Sequence, residues 1–291
     1  MKKLVVFIIL AAIALMLVFA LSGCAVMSSG AYENSELYSV GDAEIADKIE
    51  NIEIDWPSGS VTVVTHSENT LLLTEKTGDG TSDDLRVHWW LEQTTLHVKF
   101  AASGEKLRLF SSAQKELTLT VPETISFDDI VIRSTSAEID VRGLAAEAIS
   151  VSAESGNVSI SCAAKALKLN TTSGKISADL RQADKVNLES VSGKINVTAA
   201  SINSLSVKAT SGAVSCELGA APSECKLRAV SGSIDLVLPD DPDFTARIST
   251  TSGDFESDFA LKKDGNVYIC GSGSANIDIK TTSGDVSILK S

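Results

Sequence analysis

A short motif, Ser-Gly-x followed by Val, Ile or Phe, recurs through most of the 291-residue chain. The glycines of the motif are Gly59, Gly156, Gly174, Gly193, Gly212, Gly232, Gly253 and Gly284. Ala137 takes the same position in Ser-Thr-Ser-Ala-Glu-Ile, and from Ala137 to Gly253 the steps are 19, 18, 19, 19, 20 and 21 residues. A nearly constant period of this length indicates an array of stacked structural repeats.

Apolar residues alternate with polar ones on both sides of each motif. Positions two and four after the glycine, and five and seven before it, are mostly apolar, as in Val158, Ile160, Val151 and Ile149. Period-two alternation is typical of β-strands, and the apolar positions never recur at three and four as a helix requires. Each repeat is predicted to contain two short strands and two turns. Such a unit cannot cover its own apolar face, so the repeats must stack, about 4.8 Å apart.

The predicted fold class is therefore all-β, a β-solenoid with a period of about 19 residues; a β-sandwich-like stack of equivalent strands is the alternative. The first third is less regular, with Ile52, Ile54 and Trp56 alternating before Ser58-Gly59. Alternation also places a further set of residues inward there, namely Leu85, Val87, Trp89 and Leu91. The same alternation places His66, His88 and His97 outward.

Domain boundaries follow from these patterns and from the N-terminus. Residues 1–23 are predicted as a lipoprotein signal peptide, 24–45 as a tether, 46–130 as an N-terminal β region, and 131–291 as solenoid rungs. Lys2 and Lys3 precede an apolar run from Leu4 to Leu21, an arrangement typical of export signals.

The residues Leu21-Ser22-Gly23-Cys24 resemble a bacterial lipobox. That resemblance implies cleavage before Cys24 and lipidation of its thiol, including a palmitate chain. The alternative is an uncleaved membrane anchor. Either arrangement makes residues 25–291 extracytoplasmic, and the lipidated form would be anchored to the cell membrane.

The formal net charge of −13 disfavours nucleic acid as a partner, because phosphate binding needs clustered Lys and Arg. Basic residues nevertheless recur four and six positions before the motif glycine. This candidate binding stripe comprises Lys168, Lys208, Lys226, Arg228, Arg247 and Lys280. The opposite face carries mostly acidic residues. The basic stripe would suit an anionic wall polymer, and a solvated surface that keeps a repetitive β-protein soluble is the alternative.

Catalytic and metal-binding patterns are weak. Asp235 and Glu256 occupy equivalent positions on consecutive repeats, so a polysaccharide-cleaving carboxylate pair near 5 Å would be possible. No His or aromatic residue accompanies them, and we expect no enzyme activity and no cofactor. Pro239-Asp-Asp-Pro-Asp243 could hold calcium but fits a solvated turn better, so no metal is expected. Among the remaining cysteines only Cys216 and Cys225 could form a disulfide, across one turn.

The whole pattern resembles the bacterial DUF4097 family, whose members carry the label of adhesins and are described as β-strand repeat proteins. The resemblance is carried by Ile52-Glu-Ile-Asp with Ser58-Gly-Ser-Val, by Leu117-Thr-Leu-Thr-Val-Pro122, by the Ser-Gly repeats, and by Gly271 to Ile288. It implies a surface-located, solenoid-like fold and no catalytic residues.

The leading functional hypothesis is an adhesin or a wall-interaction and scaffold module at the cell envelope. Its partners would be a wall polymer, host matrix or an envelope protein. A stress or signalling lipoprotein that binds a membrane partner is the alternative, and a polysaccharide-active enzyme is less favoured.

Overall fold

The computed structural model describes residues 31–105 and 115–291, which form one sheet of 22 strands. The N-terminal strands are β1 Ser39–Val40, β2 Ala43–Ile45, β3 Asn51–Asp55, β4 Ser60–His66, β5 Leu71–Lys76, β6 His88–Glu92, β7 Thr95–Lys99, β8 Glu116–Pro122 and β9 Ser126–Ser134. The central strands are β10 Glu138–Ala153, β11 Val158–Thr171, β12 Ile176–Ser190 and β13 Ile195–Ala209. The C-terminal strands are β14 Val214–Leu218, β15 Glu224–Ala229, β16 Ile234–Leu238, β17 Phe244–Ser249, β18 Phe255–Ser257, β19 Lys262–Asp264, β20 Val267–Cys270, β21 Ala275–Lys280 and β22 Val286–Lys290.

The prediction of stacked β rungs is confirmed. Successive rungs pair in parallel and in register, so that Ile176 lies beside Ile195 and Ile195 beside Val214. Equivalent apolar residues therefore form continuous rows, and these rows make up a core in which most members are fully buried. We call the strands that lead into each Ser-Gly turn the pre-turn face and those that leave it the post-turn face.

The predicted second turn of each repeat is wrong for the central rungs. Strands β10 to β13 are 14 to 16 residues long and pass from the post-turn to the pre-turn face without interruption. In β10 and β11 the pairing shows register shifts in the middle of the strand, between Arg142 and Ala145 and between Cys162 and Ala166. A β-bulge bends a strand while leaving most of its hydrogen bonds intact, so no separate turn is needed there.

At both ends of the stack the order of rungs departs from the order of the sequence. Strand β21 lies between β15 and β17, and β22 lies between β16 and β18. Likewise β3 lies between β7 and β9, and β4 lies between β8 and β10. The first and last rungs of the chain are thus held between other rungs, where both of their edges are hydrogen-bonded.

Antiparallel segments and short strands cover the two ends. Strand β6 pairs with β7 and β5 with β8 at one end, and β20 pairs with β17 and β19 at the other. The outermost strands β1 and β2 have only two and three residues. Short edge strands of this kind leave little template for unwanted strand pairing.

The N-terminal part requires two corrections. Residues 39–45, predicted as tether, form β1 and β2 and pair with β6 and β5 because their backbone completes the end of the sheet. His88, predicted outward, is buried, and Leu85, predicted inward, is exposed. The reason is that Leu85 belongs to a 3₁₀ turn, Asp83–Leu85, and the strand begins only at His88.

The predicted signal peptide, Cys24 and the start of the tether lie outside the described residues. Within residues 31–105 and 115–291, no helix is long and apolar enough to cross a membrane.

The motif glycines pack directly on one another along the stack. A Cβ on Gly174 would lie 1.7 Å from the carbonyl oxygen of Gly156, and one on Gly193 would lie 1.7 Å from that of Gly174. The same close approach links Gly232 to Gly284 and Gly284 to Gly253, in the order of the inserted rungs. Glycine is required at these turns because backbone fills the space that a side chain would need.

Replacing Gly193 by Ala should therefore destabilise the stack strongly. We expect a loss of roughly 3 kcal/mol or more in the free energy of unfolding, because the clash is with backbone that neighbouring rungs hold in place. Thermal denaturation followed by circular dichroism would measure it. Gly78→Ala is the matched control, since a Cβ at Gly78 meets no atom within 4 Å. Equal melting temperatures for the two variants would contradict the glycine packing.

Candidate functional site

An open groove of about 860 Å³ follows the stack beside the Ser-Gly turns, and we call it the corner groove. One wall consists of residues four positions before the motif glycine, namely Arg133, Ser152, Asn170, Glu189, Lys208, Arg228 and Lys280. The other wall consists of residues two positions before the motif glycine, namely Glu154, Thr172, Val191, Thr210, Val230 and Thr282. Both walls point outward because side chains alternate along a strand.

The floor of the groove is made by the residue between the walls, three positions before the glycine. It is small in every lining rung, as in Ala153, Thr171, Ser190, Ala209 and Ala229. Two of these residues also hold the turn: Gly174 N–H donates to the Thr171 hydroxyl at 3.0 Å, and Gly193 N–H to the Ser190 hydroxyl at 2.8 Å. This row of small residues is a signal for the groove that can be read from the sequence, although the basic stripe alone was predicted from it.

One end of the groove is basic. Lys208, Arg228 and Lys280 lie side by side on β13, β15 and β21. Glu189 contacts the first of them, with its carboxylate 3.4 Å from the Lys208 ammonium. Neighbouring cations at strand spacing repel one another, and this repulsion falls when an anion lies between them. The arrangement favours a ligand with repeated negative charges.

Asp278 supplies part of that counter-charge from within the protein. The Arg228 guanidinium binds the Asp278 carboxylate and also donates to the Asp278 backbone carbonyl at 2.9 Å. The hydrogen bond from Arg228 lowers the pKa of Asp278, and the charges of Arg228, Arg247 and Lys226 lower it further against the effect of burial. Asp278 therefore fixes the position of Arg228 at the groove.

The predicted basic stripe is only partly brought together. Lys208, Arg228 and Lys280 line the corner groove, whereas Lys226 and Arg247 lie two positions earlier along their strands, on either side of Asp278. Lys168 is separate, with Ser150 and Asn187 as its neighbours on adjacent strands.

The predicted spacing of Asp235 and Glu256 near 5 Å is wrong. Because β22 is inserted between their strands, Asp235 pairs with Ser287 and Ser287 with Glu256. The two carboxylates are thus two strand steps apart, about 10 Å, and the Ser287 hydroxyl donates to Glu256 at 3.3 Å.

Asp243, in the segment considered for calcium, instead binds the chain before β21. Its carboxylate accepts hydrogen bonds from the Ser272 hydroxyl, from Gly273 N–H at 2.6 Å and from Ser274 N–H at 3.4 Å. Among the described residues no group of three or more His, Cys, Asp or Glu could hold a metal ion.

Cys216 and Cys225 are buried thiols and do not form the disulfide considered from the sequence. Cys216 and Cys225 are both fully buried and unbridged. Burial raises the pKa of Cys225 to about 12 and that of Cys216 well above its usual value, so both are protonated and act as small apolar residues.

Residues 49–289 match the family model described as Toastrack DUF4097. The chain belongs to this family. Its Toastrack fold is the stack described above, with the rung order changed at both ends. A search of curated proteins finds no match.

Several solved structures resemble this Toastrack chain distantly. A candidate cell adhesion protein from Clostridium sporogenes is 9% identical, with a TM-score of 0.30, and the alignment covers 87% of this chain and 100% of the other. A candidate adhesin from Bacteroides fragilis is 16% identical, with a TM-score of 0.40 and coverages of 87% and 97%. A candidate lipid-binding protein from Parabacteroides distasonis is 15% identical, with a TM-score of 0.43 and coverages of 86% and 96%.

Asp278→Asn should make the Toastrack stack less sensitive to acid. Because the pKa of Asp278 is lower in the folded state than its unfolded value of about 4, its carboxylate stabilises the fold above that pH. The contribution is lost as the pH falls through the folded pKa. Asp278 is partly exposed, so we expect less than about 1 kcal/mol at pH 7.

The measurement is the melting temperature of wild type and variant between pH 7 and 2. The gap between the two proteins should close toward the acid end. Asp179→Asn is the control, an exposed carboxylate on the post-turn face of β12, and its profile should follow wild type. A gap that stays constant to pH 2 would contradict the role of Asp278.

Proposed function

We propose that this protein is a non-catalytic, extracytoplasmic binding module that holds an anionic polymer of the cell envelope or host matrix in the corner groove. The observation that carries this proposal is the contiguous set of Lys208, Arg228 and Lys280 at one end of an open groove. Repeated cations in strand register suit a ligand whose own charges repeat along a chain.

The dimensions of the corner groove favour a linear polymer over a small molecule. From Arg133 on β9 to Lys280 on β21 the groove crosses seven strands, or about 29 Å at a strand spacing near 4.8 Å. The groove is shallow and open along this length, whereas small-molecule sites bury most of their ligand.

The second wall adds apolar contact to the charges. Val191 and Val230 are 37% and 50% exposed and alternate with Thr172, Thr210 and Thr282 along the stack. Methyl groups and hydroxyls at each step can contact the body of a chain whose anionic groups meet the basic wall. A polymer would therefore be bound by many weak contacts, which together give useful affinity.

Lipidation of Cys24 would place this groove at the outer surface of the membrane. Acyl chains contribute about 0.8 kcal/mol per buried CH₂, so two chains anchor a protein stably. The segment from Cys24 to the first described residue is short, and the stack would stay close to the envelope polymers that we propose as ligands.

Neutralising the basic end should weaken polymer binding. For Lys208→Gln, Arg228→Gln and Lys280→Gln combined, we expect between about 3-fold and 150-fold weaker binding of a polyanion such as polyphosphate, at about 0.2–1 kcal/mol per exposed contact. Wild-type binding should also weaken as salt is added. Fluorescence anisotropy with labelled polymer would measure both effects.

A triple variant of Lys168, Lys175 and Lys194 to Gln is the matched control, because it removes the same charge from exposed positions outside the groove. It should bind like wild type. Equal loss of affinity in both triple variants would contradict the groove as the binding site.

Cys24→Ser should abolish membrane anchoring. Without the thiol there is no acceptor for the diacylglycerol, so the variant should leave the membrane fraction. Fractionation of cells and intact mass of the product would measure this, with Cys270→Ser as the control variant. Unchanged membrane retention together with an uncleaved, unlipidated mass would support the anchor alternative instead.

A further inference from the structure

The corner groove does not stop at Arg133 but continues into a second cavity of about 380 Å³, which we call the end pocket. Arg133 and Ser134 line both cavities. The end pocket lies over β7, β3 and β9, at the end of the stack opposite Lys280. A chain bound in the groove would reach it without changing direction.

The end pocket differs from the groove because its floor is aromatic. Trp56 takes the position three before Gly59, where the groove has Ala, Ser or Thr, and its indole packs edge-on against Phe100 with ring centroids 4.8 Å apart. The Trp56 side chain is fully buried, yet its indole N–H has no hydrogen-bond partner among the described residues. A buried donor without an acceptor is unfavourable, and a ligand oxygen would satisfy it.

Polar groups form the remaining walls. The Asp55 carboxylate is bound by the Lys99 ammonium and lies 3.4 Å from the Arg133 guanidinium. Tyr32 donates its hydroxyl to the Ala101 carbonyl at 3.1 Å, which fixes its ring at the pocket wall. Arg133 also lies 3.9 Å from the Glu53 carboxylate, so the two cations are balanced by two carboxylates and the pocket walls are polar without a net charge.

This combination fits one ligand chemistry closely. A sugar ring has apolar C–H faces, which can pack on the half-buried Tyr32 ring at the pocket wall, together with hydroxyls that donate and accept hydrogen bonds and a ring oxygen that accepts them. The negative charges of an anionic glycan would meet the basic end of the corner groove, at Lys208, Arg228 and Lys280. A polymer of phosphate groups alone has the charge but lacks a ring to fill the pocket.

We propose that the end pocket is a subsite for one sugar ring, and that the polymer in the corner groove is an anionic glycan. This inference rests on the proposed function and specifies its ligand class. One ring of the glycan occupies the end pocket, and the chain continues along the small-residue floor toward Lys208, Arg228 and Lys280.

The test uses the full-length protein in detergent micelles and three probes. The hyaluronan disaccharide, a uronic acid linked to an amino sugar, fits the end pocket alone. Long hyaluronan spans pocket and groove, and inorganic polyphosphate of similar length engages only charge. The indole N–H signals of the three tryptophans, observed by NMR, report on Trp56 directly, and Trp56→Phe assigns its signal.

We expect the disaccharide to shift the Trp56 indole signal. Trp56→Phe should bind long hyaluronan about 3- to 10-fold more weakly, as expected for one lost hydrogen bond, and should bind polyphosphate like wild type. Tyr32→Ala, at the pocket surface, should have the same selective effect if Trp56→Phe fails to fold. The groove variant with Lys208, Arg228 and Lys280 changed to Gln should still bind the disaccharide and should bind both polymers more weakly.

The outcomes separate the two proposals. If the disaccharide leaves the indole signal unchanged, or the pocket variants bind long hyaluronan like wild type, the sugar subsite is refuted while the polyanion groove stands. If the groove variant binds both polymers like wild type, the proposed function is refuted. The effect of the disaccharide on the Trp56 indole signal then still tests whether the end pocket binds a sugar.

Discussion

From Gly156 to Gly253, in the order of the stack, the carbonyl oxygen of one motif glycine lies where a Cβ on the next motif glycine would be, and this contact fixes these rungs. Rungs that repeat about every 4.8 Å leave no room for a Cβ at these turns. The glycine column thereby sets the register between rungs, and the register sets which residues share a row. Straight apolar rows inside and straight outward rows outside both follow from that one contact.

Because the inward rows and the glycines specify the fold, the outward rows are free to vary. The corner groove lies between two such outward rows, over a floor of Ala, Ser and Thr. At the end of the groove the same floor position is occupied by Trp56, which replaces a small residue by a large aromatic one. Structure and binding surface are therefore encoded by alternate residues of the same strands.

The rung order at the C-terminal end connects the architecture to the charge of the groove. In sequence order the neighbour of Arg228 would be Ser249, four residues before Gly253. Insertion of β21 places Lys280 there instead and moves Ser249 one step further out. The same insertion provides Asp278, which holds Arg228, and the accompanying insertion of β22 separates Asp235 from Glu256. The altered rung order thus assembles the basic end of the groove, and it places the two carboxylates too far apart to act as a pair.

The sequence by itself determined the all-β class, the period, the inward rows and the positions of the turn glycines, because all of these are local and repeat with the chain. It also identified Lys208, Arg228 and Lys280, since outward positions follow from alternation alone. Only the tertiary structure decided which rungs are neighbours, that the central strands bend without a second turn, and that β1 and β2 belong to the sheet. Those features depend on which segments form hydrogen bonds with the exposed backbone at the ends of the stack. These segments are distant along the chain, so no local sequence pattern indicates which of them will pair.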